Sequence, residues 1–412
     1  MGDFGLSVHP QTELGRFGDV LIIGTVEAIH GTVQGATIGR KWDDLTGRFA
    51  AVVLDDNPYV LQDAVGARTV FYRSGGGAIA SHPGLLAEAY GHGKNEVAHE
   101  FIKNPGYTSR SVTYLPGLMT MHEGIRPLIP NHLLRLNSGR VERFWPVEPK
   151  KETALREFDT EFDALLDAVA KTPLPILGVT GGIDTRVLVA GLRSRNVAFR
   201  AVTWAPPRIV KKEVPVVERT VELLGLDHKW LEHEATSEDP IAAISGVNSG
   251  GFRGRARITA DTARLYDNGT FVRGYGGEII RGFYNLRQRK MTGSGVEEMV
   301  EAYGSSMKDK EQDARYWRIV TDAFEEFSDV CDYSDLKGFD VNDVFYWEHR
   351  MGIWGACMHN EMDAAVYSTT GINSRRLFEL SYGRSDEERL SKDFLNRIVV
   401  ANVPAMASVK VV

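Results

Sequence analysis

Between residues 177 and 186 the chain reads Leu177-Gly178-Val179-Thr180-Gly181-Gly182-Ile183-Asp184-Thr185-Arg186, residue types suited to holding a phosphate chain. An apolar run enters this stretch and a helical pattern leaves it. Unpaired backbone N–H groups and the positive end of a helix dipole therefore gather at one point, where an anion is favoured. The paired glycines remove side chains from the path of approach. Thr180 and Thr185 add hydroxyls, and Arg186 adds a charge-assisted donor. Asp184 would be repelled by phosphate unless a divalent cation lay between them, which implies magnesium. The same letters also suit a plain strand-to-helix turn with Asp184 as a cap. No Gly-x-x-x-x-Gly-Lys loop and no Gly-x-Gly-x-x-Gly fingerprint occurs, which argues against those nucleotide classes.

A second chemical segment is Phe271-Val272-Arg273-Gly274-Tyr275-Gly276-Gly277-Glu278-Ile279-Ile280-Arg281-Gly282-Phe283-Tyr284. It reads as a buried strand opening into a glycine-rich turn. Gly274 allows a ligand to approach, Tyr275 can exchange a proton, and Glu278 can share a hard cation with Asp184. The alternative is a packed aromatic beside a solvated glutamate. Around this segment Arg253, Arg255, Arg257, Arg264, Arg273, Arg281, Arg287, Arg289 and Lys290 suit anionic ligands, ATP phosphates or an acidic substrate among them, or else form solvated surface.

The elements that must carry these residues follow from periodicity. From residue 19 to about 145 short apolar runs alternate with turns, as in Gly47 to Leu54, then Asp55-Asp56-Asn57-Pro58, then Tyr59-Val60-Leu61, which predicts a strand-rich half. A helix is predicted from about Pro83 to Tyr90. Proline and charge at residues 145–151 mark a boundary, giving domains 1–148 and 149–412. Beyond it, Leu155, Phe158, Phe162, Leu165, Leu166 and Val169 form one helical face. A strand at Pro175 to Val179, a helix after Asp184, a strand at Phe199 to Thr203 and a helix around Val216 to Leu224 predict a parallel sheet covered by helices. After residue 300 the pattern is mainly helical.

Of 412 residues, 43% are hydrophobic and 25% charged, an ordinary globular composition long enough for two domains. A formal net charge of -7 speaks against a general nucleic-acid binder. Two cysteines, Cys331 and Cys357, are too few for a disulfide framework, and no apolar run of membrane-spanning length occurs. A cytoplasmic protein without membrane attachment is expected.

Thr180-Gly181-Gly182-Ile183-Asp184-Thr185 resembles the Ser-Gly-Gly-x-Asp-Ser loop of the asparagine synthetase family of ATP pyrophosphatases, and Leu224-Gly225-Leu226-Asp227-His228 is similar to that family's Leu-Gly-x-x-His segment. Gly274-Tyr275-Gly276-Gly277-Glu278-Ile279 resembles the Gly-Tyr-Gly-x-Asp-Ile of the β-lactam synthetase branch, with Glu for Asp. The resemblance implies an α/β fold: an N-terminal α+β sandwich of glutaminase (Ntn) type, then a doubly wound parallel-sheet ATP pyrophosphatase domain with a helical C-terminal part. It implies ATP with Mg2+ as cofactors and an AMP-forming amide ligase, in which an adenylated carboxylate is captured by an amine of the same or a second substrate, small molecule or peptide. An ammonia-dependent amidotransferase and a non-catalytic nucleotide-binding protein are the alternatives. A homodimer fits the family.

Residue by residue, the resemblance assigns Gly178, Val179, Thr180, Gly181, Gly182, Asp184, Thr185, Arg186, Val202 and Gly274 to the nucleotide, Val202 bordering adenine. Asp184 and Glu278 take the metal. Tyr275 deprotonates the amine with Glu361 as partner and Glu348 in reserve, and Lys410, in Pro404-Ala405-Met406-Ala407-Ser408-Val409-Lys410, stabilises developing charge. Gly47 to Val52, Asp63 to Arg68 with Tyr72, and Gly124 to His132 resemble a glutaminase domain. Its nucleophile position holds Gly2, which predicts that no ammonia is drawn from glutamine unless processing exposes Ser7.

Overall fold

The computed structural model describes residues 12–110, 112–206, 209, 211–232, 234–236, 238–250, 256–263, 268–286, 291, 293–307 and 314–411. The chain forms two compact units. The first comprises Met1–Glu148, Met291–Lys337 and Trp347–Ala356, the second Pro149–Lys290, Gly338–Tyr346 and Cys357–Val412.

The first unit is built on antiparallel strands: β1 (Leu14–Phe17), β2 (Val20–Ala28), β3 (Leu45–Val53), β4 (Tyr59–Gln62), β5 (Phe71–Arg73), β6 (Ile79–Ala80), β7 (Ile125–Pro127), β8 (His132–Arg135) and β9 (Val141–Arg143). One sheet runs β1-β2-β3-β4-β8-β9 and a smaller one β6-β5-β7. Alternation along β3 divides its side chains between two faces. Ala50 and Val52 join Val60, Val70, Tyr72, Leu128 and Leu134 in a core that links the two sheets. Phe49, Ala51 and Val53 join Val20, Ile22, Leu45 and Leu61 on the other face. The Asp63 carboxylate accepts from the backbone N–H groups of Phe49, Ala67 and Arg68 at 3.2, 2.9 and 2.8 Å. Arg48, buried, donates to Ala67 O at 2.9 Å. The Gly47 and Asp63 segments are thus tied to one another by buried polar bonds. The predicted helix is present at Pro83–Tyr90.

The second unit holds β10 (Pro175–Gly178), β11 (Arg200–Trp204), β12 (His228–Leu231), β13 (Thr270–Arg273) and β14 (Tyr367–Thr370), all parallel, in the order β12-β11-β10-β13-β14. Ile176 and Leu177 are both buried, as a central parallel strand covered on both faces requires. The helix Leu155–Val169 buries Phe158, Phe162, Leu165, Leu166 and Val169, and Glu157 reaches back to accept from the Ala154 N–H at its start. Strand order reverses between β10 and β13. That is the switch point of an open α/β sheet, where the loops leaving the carboxyl ends of two neighbouring strands diverge and leave a crevice. The loop after β10 and the turn after β13 are the two chemical segments read from the sequence. β14 lies within the stretch expected to be helical: Tyr367-Ser368-Thr369-Thr370 is polar in sequence, yet Ser368, Thr369 and Thr370 are buried. No helix among the described residues is long and apolar enough to cross a membrane.

Candidate functional site

The loop begins firmly. Val179 N–H donates to Val202 O at 2.8 Å, and the Thr203 hydroxyl donates to Val179 O at 2.7 Å while meeting His228 Nε2 at 2.8 Å. Gly182 then caps the helix Ile183–Ser194 from an extended conformation. Thr180 and Thr185 bond one another through their hydroxyls at 2.8 Å, and Gly182 N–H donates to Thr180 Oγ1 at 3.2 Å. Gly181 N–H donates to the Glu213 carboxylate at 3.0 Å. A loop amide at this helix start thus already holds an anionic oxygen.

The turn after β13 presses on the first turn of this helix. Gly276 sits at φ +96°, and a Cβ there would lie 2.0 Å from Ile372 O; a Cβ on Gly277 would lie 2.2 Å from Asp184 Oδ1. Only glycines permit that approach. It brings Arg281, at the end of the short helix Gly277–Arg281, onto Asp184. Arg281 Nη2 donates to Oδ1 at 3.0 Å and Oδ2 at 2.9 Å, and Nε to Oδ1 at 3.2 Å. Burial and then the neighbouring Glu278 carboxylate raise the Asp184 carboxyl to about 6 against the opposing pull of Arg281. Glu278 accepts from Tyr346 OH at 2.5 Å.

Asp184 and Glu278 are therefore electrostatic neighbours, but each is committed to a protein partner. Among the described residues no three His, Cys, Asp or Glu side chains converge as a metal site. As arranged, the pair does not fit a divalent cation. The glycine-lined loop, with an amide directed at a carboxylate, does fit an anionic phosphate.

The other sequence-derived residues fall at varied places. Tyr275 accepts from Arg273 Nη1 at 3.2 Å and meets His359 edge-on at 5.9 Å. His359 is held between Ser368 Oγ at 2.8 Å and Thr370 Oγ1 at 2.9 Å. Glu361, buried, lies two residues along the same helix, Ala356–Met362. Glu348 belongs to the first unit, where Arg143 pairs with it at 2.6 and 2.9 Å and Asn131 donates to it at 3.0 Å. Arg186 does not face the loop: its two Nη groups hold Lys410 O and Val409 O, both at 2.8 Å. Sequence reasoning aimed that arginine at phosphate, whereas it fixes the C-terminal tail and leaves the Lys410 side chain exposed. Val202 is fully buried in the apolar cluster of Ile176, Leu231, Phe271 and Met362. Gly274 follows β13 directly, and Gly178 ends β10.

Gly2, Ser7, Arg253, Arg255, Arg264, Arg287, Arg289, Lys290 and the side chain of Arg257 lie outside the described residues. Glu213 and Tyr346 carried no signal in the sequence, being brought in by the chain far from either motif. Arg281 was visible only as one cation among nine.

No protein-family model matches the chain, and no curated protein matches it. Among solved structures, NMN synthetase from Francisella tularensis is 15% identical, with 51% of this chain and 97% of that chain covered and a TM-score of 0.25. So slight a likeness adds nothing to the sheet order, which stands on the strand pairing itself.

Proposed function

We propose that the parallel-sheet unit is an ATP-dependent, AMP-forming amide ligase of the asparagine synthetase-like kind, nearest in motif to the β-lactam synthetase branch. The supporting observation is the Gly181 N–H donating to a carboxylate at the start of a helix, at the switch point of the sheet. There Thr180 to Thr185 would hold the β- and γ-phosphates in place of Glu213. A substrate carboxylate oxygen attacks the α-phosphorus, the bond to the bridging oxygen breaks, and pyrophosphate leaves. An amine of the same or a second substrate then attacks the acyl carbon and expels AMP. In this reading the amine proton passes to Tyr275, with Glu361 accepting it onward, and Lys410 reaches in from the tail that Arg186 anchors. A divalent cation would supply charge neutralisation on the phosphates; Asp184 would hold it only after releasing Arg281. The antiparallel unit is proposed as a glutaminase-like scaffold.

The test is substrate-dependent pyrophosphate release over pooled carboxylates and amines. Release in the wild type and its loss in Asp184→Ala is the expected result; undiminished release in the variant rejects the site. The Arg281–Asp184 pair also favours a second reading, a nucleotide-binding protein without catalysis. ATP binding by calorimetry with no pyrophosphate release for any substrate would support that reading, and product formation on free ammonium would support an amidotransferase.

A further inference from the structure

The charge that the sequence resemblance assigns to a metal is carried here by a side chain. Arg281 Nη2 stands 3.0 Å from Asp184 Oδ1 and 2.9 Å from Oδ2, while Nε lies 3.2 Å from Oδ1. One nitrogen nearly equidistant from both oxygens lies on the bisector of the carboxylate, where a cation chelated by Asp184 would stand. A guanidinium keeps its charge at any working pH, so this place holds a fixed positive charge. Glu278, the other carboxylate assigned to a metal, accepts from the Tyr346 hydroxyl at 2.5 Å. That donor is neutral and adds no second cation.

Buried contacts fix the arginine in this place. The helix Gly277–Arg281 has five residues, too few to hold itself together. Its end is tied by Arg389, which is 1% exposed: Nε donates to Ile280 O at 3.0 Å and Nη1 to Oδ2 of the buried Asp343 at 2.7 Å. Its start is set by close approach, since a Cβ on Gly277 would lie 2.2 Å from Asp184 Oδ1. Arg281 is therefore placed on the first turn of Ile183–Ser194, the helix whose start carries the phosphate loop. Its three bonds among the described residues use Nε and Nη2, and its side chain keeps 15% of its surface exposed. Nη1 retains two N–H donors for an anion at that helix start.

We propose that Arg281 is the resident cation of the phosphate loop: fixed on Asp184, it binds the β- and γ-phosphates through Nη1 and supplies the charge neutralisation that a metal on Asp184 would bring. This rests on the ligase reading above, and in it Arg281 stays on Asp184 as pyrophosphate leaves. The test is calorimetric titration of the full chain with pyrophosphate, first in EDTA and then in excess Mg2+. Wild type is expected to bind in EDTA, Arg281→Met to bind about tenfold more weakly, and Arg281→Lys to fall between them. Mg2+ is expected to restore binding to Arg281→Met through the freed Asp184, and not to the double variant Arg281→Met with Asp184→Asn. Should Arg281→Met fail to fold, Arg281→Gln is read in its place. Wild-type binding only with Mg2+, equal binding of wild type and the Arg281 variant in EDTA, or a variant that Mg2+ does not restore overturns the proposal and leaves the ligase reading standing. Arg281-dependent binding in EDTA with no pyrophosphate release for any substrate overturns the ligase reading alone. No pyrophosphate binding in either condition overturns both.

Discussion

Asp184 carries the tension of the site. Its carboxyl is raised to about 6 by burial and by Glu278, yet Arg281 grips both its oxygens. A guanidinium bound bidentately already supplies the charge a cation would bring, so a metal must displace it. Wild-type protein without nucleotide is accordingly expected to bind no Mn2+ at Asp184 at millimolar concentration, and Arg281→Met to gain a site that Asp184→Asn removes. Electron paramagnetic resonance of Mn2+ reads this directly, and stoichiometric binding to the wild type that is lost in Asp184→Asn would show that Arg281 is no barrier. The loop letters announced Asp184 but not its partner, because an arginine 97 residues later joins it only through the strand order.

At the scale of elements, the turn after β13 sets Gly277, Glu278 and Arg281 against the first turn of the helix Ile183–Ser194. Ala at Gly276 must adopt φ +96° with its Cβ 2.0 Å from a backbone oxygen. It is expected to lower stability by about 2–4 kcal/mol in urea unfolding. Ala at Gly277 meets the Asp184 side chain instead, which can swing away. A smaller stability loss is expected there, with the Asp184–Arg281 pair broken and the Mn2+ site exposed as in Arg281→Met; equal losses in the two variants would refute the distinction. The strands and helices of this unit were legible because Pro-Ile-Leu-Gly and the 155–169 heptad-like face are apolar at strand and helix periods. β14 was not, because its buried hydroxyls bond His359 and the sequence shows only polar letters. Arg186 misled for a related reason: a cation after a glycine loop looks like a phosphate ligand until the tail carbonyls that occupy it are seen.

Across the whole molecule the chain is not divided once but returns, since residues 291–337 and 347–356 belong to the unit begun by the N-terminal half. A boundary read from composition at residue 148 has no means of signalling such returns, because Trp347 and His349 are interior residues of one continuous helical stretch. Their burial makes the first unit's stability depend on pH in a stated direction. His349 is enclosed by Tyr114, Tyr303, Phe324 and Phe327, and its Nε2 accepts from Gly117 N–H at 3.1 Å. That bond needs an unprotonated Nε2, and burial holds the imidazole well below its usual pKa of 6.5, with Arg110 and Arg350 adding to the effect. Below that pH the unfolded chain takes up a proton that the native unit refuses. Stability from this residue is therefore present above 6.5 and lost as pH falls, by about 1.4 kcal/mol per pH unit. The gap in unfolding free energy between wild type and His349→Gln is expected to shift against the wild type between pH 6.5 and 5 and to stay flat from 7 to 8. A gap independent of pH would mean that His349 titrates in the native unit as it does in water.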